Sequence, residues 1–223
     1  MSDDFVKYLH TVDTPTLCNA IELLKVRPHE EGFTPLRVKC LFPQLGRMVG
    51  YAVTAQVETV TRMHPRDNRA FLELYRAVDA APKPAVVVLK EIGGHADYAV
   101  HCGEVMATIF QRCGAVGLVS DCAVRDIPEV RGLKFHYFAR GAAASHANFR
   151  IAHVGVPVQV EGMVIHPGSL LHGDENGLAL VPEQSREQIP AMVDRVRKRE
   201  GELLAYVRGT EFTLDGLHDR IVE

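Results

Sequence analysis

Asp121-Cys122-Ala123-Val124-Arg125-Asp126-Ile127-Pro128-Glu129 follows Ser120 and an apolar run, Ala115-Val116-Gly117-Leu118-Val119, that reads as a buried strand. A charged pair just past such a strand is costly to hold unless it binds something. Working outward, Val105, Ile109, Phe110 and Cys113 recur at helical spacing, and Pro84 to Leu89 reads as a second buried strand. Phe71, Leu74, Tyr75 and Val78 mark a further helix, and Tyr51 to Val60 alternates as a half-buried strand with Val53, Ala55 and Val57 on one face. Asp13-Thr14-Pro15 is a helix start, a capping side chain before a proline suited to the first turn. The second half is richer in strands: Val156 to Val160 and Met163 to Ile165 flank the turn Glu161-Gly162. Leu178 to Val181 is one more strand, and a final helix is predicted from about Gln188 to Val207. Helices alternate with strands and no linker separates the halves, so the expected fold is one mixed α/β domain.

The composition narrows the function. A chain of 223 residues, 47% hydrophobic and 24% charged, suits one globular domain or at most two small ones. A net charge of −3 without a Lys/Arg block argues against a nucleic-acid partner. The acidic start Met1-Ser2-Asp3-Asp4 and the lack of a long apolar segment predict a cytoplasmic protein with no membrane partner. The five cysteines are irregularly spaced and form no CxxC pair, as expected of reduced thiols.

Asp126 could hold a hard divalent cation, and Arg125 could pair with a carboxylate or with an oxygen that becomes anionic; a surface ion pair is the plainer alternative. Upstream, Gly103-Glu104-Val105-Met106 opens a helix. The N–H groups of Val105 and Met106 have no intrahelical acceptor, and Gly103 permits close approach, so a small carboxylate fits there. Glu104 is either part of that site or a first-turn carboxylate facing the helix dipole. Lys90 ends a strand and could form a Schiff base or simply reach solvent. Asp121 could orient Arg125 or cap a turn. Glu200 falls on the apolar stripe Ile189, Met192, Val193, Val196, Leu203, Leu204, Val207, where a carboxylate is costly unless it sits at the margin or reaches a polar site. His95, His101 and Cys102 lack the paired spacing of a zinc site, and Gly93-Gly94-His95 lacks the lysine of a phosphate loop.

In their order and separations, Gly103-Glu104, Arg125-Asp126-x-x-Glu129, Phe138-Ala139-Arg140-Gly141 and Pro167-Gly168…Gly173-Asp174-Glu175-Asn176-Gly177-Leu178 resemble one family. It is that of the class II pyruvate aldolases acting on 4-hydroxy-4-methyl-2-oxoglutarate and 4-carboxy-4-hydroxy-2-oxoadipate, whose fold family includes the regulator of ribonuclease activity A. The resemblance runs from about Thr11 to Pro182 and departs at Cys122, usually glycine, and Ser169, usually aspartate. It implies a single RraA-like domain of the β/β/α swivelling type over residues 1–223, with 183–223 a C-terminal helical extension. It implies a Mg²⁺- or Mn²⁺-dependent lyase that cleaves a 4-hydroxy-2-oxo acid to pyruvate and a second 2-oxo acid, with oxaloacetate decarboxylation as a side activity. Asp126 would be the metal ligand. Gly103, Glu104, Val105, Met106 and Arg125 would bind the small 2-oxo acid, with Arg125 stabilising the enolate. Glu104 and Glu200 would complete the catalytic set, Glu200 from a neighbouring subunit of a homotrimer or hexamer. The alternatives are a non-catalytic ribonuclease-regulator-like binding protein, or another metal-dependent decarboxylase or dehydratase. Cys122 lies beside the expected site, where it would alter the pocket shape.

Overall fold

Asp13 starts the second helix as its sequence suggests: its Oδ1 accepts from Thr16 N–H at 2.9 Å, with Pro15 in the first turn. The computed structural model describes residues 2–60 and 68–222. Helices α1 (Ser2–Leu9) and α2 (Thr14–Leu23) come first, then β1 (Lys39–Cys40), β2 (Met48–Val60), α3 (Asn68–Ala80) and β3 (Ala85–Glu91). Next are α4 (Glu104–Arg112), β4 (Ala115–Ser120), β5 (Ala123–Val124), α5 (Ile127–Gly132), β6 (His136–Ala139) and β7 (Gly141–Ala142). The chain continues through β8 (Asn148–Val154), β9 (Val158–Val160), β10 (Met163–Ile165), β11 (Leu170–Asp174) and β12 (Gly177–Val181) to α6 (Ile189–Arg208) and α7 (Leu214–Val222).

The main sheet has eight strands, seven of them in the order β1-β6-β4-β3-β2-β11-β12, with β8 also on β2. Strands β2, β3, β4 and β6 run parallel, and β1, β8 and β11 pair antiparallel at their flanks. β2 is the hub. One edge pairs with β3, while the other pairs with β11 over Met48–Tyr51 and with β8 over Ala55–Val60. This explains the one clear departure from the expected strand pattern. β2 is buried on both faces as far as Ala55 and alternates beyond it, because its first part lies inside the sheet with a layer on each side.

Three apolar clusters fill the spaces between layers. Val53, Ala55, Val57, Val87 and Leu89 face Phe71, Leu74 and Val78 of α3 and Met106, Ala107 and Phe110 of α4. On the other face, Ala52, Val86, Val88 and Val119 meet Val158, Val160, Met163 and Ile165 of the β9–β10 hairpin. Val49, Tyr51 and Leu170 pack under α1, α2 and α6 through Leu17, Ala20, Ile21, Ile189, Val193 and Val196. The stripe on α6 is buried in its first half, but Leu204 is 45% and Val207 40% exposed, and Glu200 lies on the exposed side. The stripe therefore runs past the body of the molecule, and Glu200 costs nothing by burial. Among the described residues, no helix is long and apolar enough to cross a membrane.

Candidate functional site

The helices α4 and α5 start side by side because the loop before α4 is zipped to the chain before α5. Ala123 N–H donates to Ala99 O at 3.1 Å, His101 N–H to Ala123 O at 3.0 Å, and Arg125 N–H to Cys102 O at 2.9 Å. This ladder brings Gly103-Glu104 against Arg125-Asp126, with Glu104 and Asp126 22 positions apart in the chain. Asp126 has φ 58° and ψ 48°, the left-handed region that aspartate tolerates better than most residues. Its Oδ2 accepts from Glu104 N–H at 2.8 Å and lies 3.5 Å from Arg125 Nε. It precedes α5 but caps α4 instead, leaving the N–H groups of Val105 and Met106 as the unsatisfied donors of that helix.

Space rather than backbone conformation requires the glycine at 103. Its φ of −134° suits any residue, but a Cβ there would lie 2.4 Å from Asp126 Oδ2 and 2.9 Å from Arg125 Nε. Among the described residues, Asp126 Oδ1 accepts no hydrogen bond, and the terminal guanidinium nitrogens of Arg125 have no partner. Both side chains are about one-third exposed, at 34% and 36%, so a ligand can reach them. A one-third-exposed carboxylate with one free oxygen is the kind of donor that Mg²⁺ or Mn²⁺ takes, since both favour oxygen ligands and keep part of their hydration. Glu104 is exposed and leans on no described partner, free to reach water beside Asp126.

Gly103, Val105, Met106 and Arg125 form one side of a groove of about 670 Å³. Phe71, Leu72 and Tyr75 of α3, the loop Val100–Cys102 and the segment His146–Phe149 also line it. Sequence reading missed these wall residues, since nothing in a helix stripe or a loop indicates which cleft it will face. Glu200 lies elsewhere in its own chain, where its carboxylate accepts from Asn19 Nδ2 at 3.1 Å across α2 and α6.

Beneath the site lies a buried network that the sequence did not disclose. Glu91 accepts from Thr59 N–H at 2.8 Å, Thr59 Oγ1 at 2.6 Å and Gly93 N–H at 2.7 Å. His101 Nε2 lies 3.0 Å from Glu91 Oε2, and its Nδ1 lies 2.9 Å from Ser120 Oγ. Ser120 Oγ also accepts from Cys122 N–H at 3.0 Å. A neutral imidazole protonated at Nε2 satisfies every contact: it donates to Glu91 and accepts from Ser120. Burial would raise the Glu91 carboxyl, but hydrogen bonds from His101, Thr59 and Gly93 prevail and hold it at about 2. The donor atoms of Glu91, His101 and Cys122 lie within 4.8 Å of one another, yet these hydrogen bonds account for the cluster without an ion. The available signal was the pair Lys90-Glu91 at the end of an otherwise apolar strand.

Three expectations change here. Asp121 neither orients Arg125 nor caps a turn: it pairs with Lys90, and its Oδ1 accepts from Glu91 N–H at 2.9 Å. Lys90 is thereby held by a carboxylate and is not among the residues lining the groove. Cys122 is fully buried with its thiol 3.6 Å from Asp121 Oδ1, so it does not shape the groove. Burial, then the neighbouring Asp121 and Glu91, push that thiol up. Ser169 is the turn residue expected, its Oγ accepting from His166 N–H at 3.2 Å.

The mixed α/β domain thus brings a glycine–acid helix start against an Arg-Asp pair, with Gly103 and Arg125 of the two lining one groove. The chain belongs to the RraA-like family described as Aldolase/RraA, whose model matches residues 14–180. It is 26% identical over 206 residues to a Halalkalibacterium halodurans protein provisionally named as a 4-hydroxy-4-methyl-2-oxoglutarate aldolase, covering 89% of this chain and 85% of that one. An uncharacterized Pseudomonas syringae protein of known structure is similar with a TM-score of 0.76 at 23% identity, covering 98% of this chain and 94% of that one. Streptomyces coelicolor RraAS2, described as an unusual member of the RNase ES inhibitor RraA protein family, matches with a TM-score of 0.67 at 24% identity, over 89% of this chain and 94% of that one.

Proposed function

We propose that this chain is a divalent-metal-dependent lyase that cleaves a 4-hydroxy-2-oxo acid to pyruvate and a second 2-oxo acid. The observation that carries the reading is the Asp126 carboxylate held against Glu104 N–H and Arg125, beside a groove lined by Arg125, Val105 and Met106. Asp126 would hold Mg²⁺ or Mn²⁺, which when bound supplies Lewis-acid polarisation of the keto oxygen and lowers the pKa of coordinated water. The free N–H groups of Val105 and Met106 would bind the substrate carboxylate, since a helix N-terminus offers unpaired donors and a positive dipole end to an anion. Arg125 would face the keto oxygen and stabilise the negative charge that builds there as the C3–C4 bond breaks. Glu104 would orient water at the mouth of the groove, where protons leave the C4 hydroxyl and return to C3. Loss of a β-carboxylate leaves the same enolate, so oxaloacetate decarboxylation is expected as a side activity.

A second reading is a binding protein without turnover, favoured by apolar groove residues that face solvent: Val105 is 73% and Leu72 46% exposed. A lactate-dehydrogenase-coupled pyruvate assay over a panel of 4-hydroxy-2-oxo acids, with and without EDTA, separates the readings. The lyase releases pyruvate from at least one substrate, loses activity in EDTA and regains it with Mg²⁺ or Mn²⁺. Full turnover in excess EDTA, or no pyruvate from any member of the panel with either metal, overturns it.

A further inference from the structure

We propose that His101 is a positioning residue whose buried anchor sets the register of the loop before α4 against Arg125-Asp126. The functional meaning of this inference rests on the lyase reading; its structural content does not.

The segment Ala99–Cys102 has little helical or sheet structure of its own, with one isolated bridge, Val100 to Ala123, recorded along it. Its place is held by three backbone hydrogen bonds to Ala123 and Arg125. A ladder this short specifies register weakly, because a slipped pairing could form similar bonds. What a slip cannot reproduce is the seat of the His101 side chain. The ring is fully buried, bonded at 3.0 Å to Glu91 at the end of β3 and at 2.9 Å to Ser120 at the end of β4. It also packs against Phe149, with ring centroids 5.8 Å apart. Moving His101 by one position would strand a polar ring in an apolar layer and leave the Glu91 carboxylate short of a donor.

Two residues on, this anchor decides whether Gly103 meets Asp126. The contact tolerates no slack, since even a Cβ at 103 would overlap the carboxylate. The same step sets the Glu104 N–H bond to Asp126 Oδ2, on a residue whose backbone is left-handed. His101, itself among the groove-lining residues, thus acts on Asp126 through the backbone of Cys102 to Glu104.

The test compares His101→Phe, which keeps ring shape without hydrogen bonds, with Ser120→Ala, which removes one partner. His172→Gln serves as control, since His172 is an equally buried histidine on β11, bonded to Thr14 at the start of α2 and to Leu9 of α1. Amide hydrogen exchange, which needs neither metal nor substrate, is read at Glu104 and Arg125. We expect exchange there to quicken about 10-fold or more in His101→Phe and less in Ser120→Ala, while core amides of β3 keep their protection. The control should lose stability with no local change at Glu104.

Mn²⁺ titration is run in parallel, with Asp126→Ala as reference. The dissociation constant should rise about 10- to 100-fold in His101→Phe, the range typical of groups that orient ligands. Unchanged Glu104 exchange in a folded His101→Phe overturns the proposal. If that variant does not fold, unchanged exchange in Ser120→Ala overturns it. Unaltered Mn²⁺ binding in Asp126→Ala would instead overturn the metal reading and leave the exchange result standing.

Discussion

Arg125 lines the groove and Asp126 sits beside it, both about one-third exposed, so substitutions there should act on chemistry more than on folding. Arg125→Lys keeps the charge but loses the planar fork, and kcat should fall about 10²-fold or more with the Tm little changed. Asp126→Ala should lose Mn²⁺ binding and turnover together, as read by titration and the pyruvate assay; near-normal rates in both variants would relocate the site. Glu91 answers to pH. Its folded pKa of about 2 lies below its ordinary value of 4.5. Its contribution, of order 3 kcal/mol, is therefore complete above pH 4.5 and lost as pH falls through about 2. Urea unfolding across this window should show the deficit of Glu91→Gln shrinking toward zero at the acid end. A deficit independent of pH would mean that the charge of Glu91 contributes nothing.

At the scale of elements, α6 divides into a half that folds the molecule and a half that does not. Val193 is fully buried against α2 and β11, and Val193→Ala should cost about 2 kcal/mol in chemical unfolding. Val207, 40% exposed on the same helix, should change monomer stability by no more than about 0.5 kcal/mol when replaced by alanine. Equal costs would show the far half of α6 folded back onto the body. The periodicity of the helix was legible in sequence over its whole length. Which turns are covered was not, because a 3.6-residue repeat records an apolar face and not the length of its partner.

For the whole molecule, the exposed Leu204, Val207 and Leu214 leave apolar surface beyond the domain, which accords with an assembly of copies. We expect a homotrimer or hexamer whose cyclic symmetry gives each site the same neighbour. Sedimentation combined with the pyruvate assay decides this: dissociation should lower activity, whereas a fully active monomer would exclude a shared site. Glu200→Ala should reduce kcat in the assembly if Glu200 serves the adjacent site, since in its own chain it reaches only Asn19 among the described residues.

The sequence alone determined the apolar strands β3 and β4, helices α3, α4 and α6, the cap at Asp13 and the β9–β10 hairpin. Each is written in local spacing or in one capping or turn residue. It also marked Gly103-Glu104 and Arg125-Asp126 as belonging to one site, through the pattern they share with a family. Tertiary structure alone decided that β2 is buried on both faces, that β8 and β11 flank it, and that short elements such as β1 and β5 join sheets at all. A two-residue strand carries no period, and its pairing is a property of its partner. The Glu91–His101–Ser120 anchor was invisible for the same reason. Its members sit on β3, on the loop before α4 and at the end of β4, and only the parallel register of β3 against β4 brings their polar atoms within hydrogen-bonding distance.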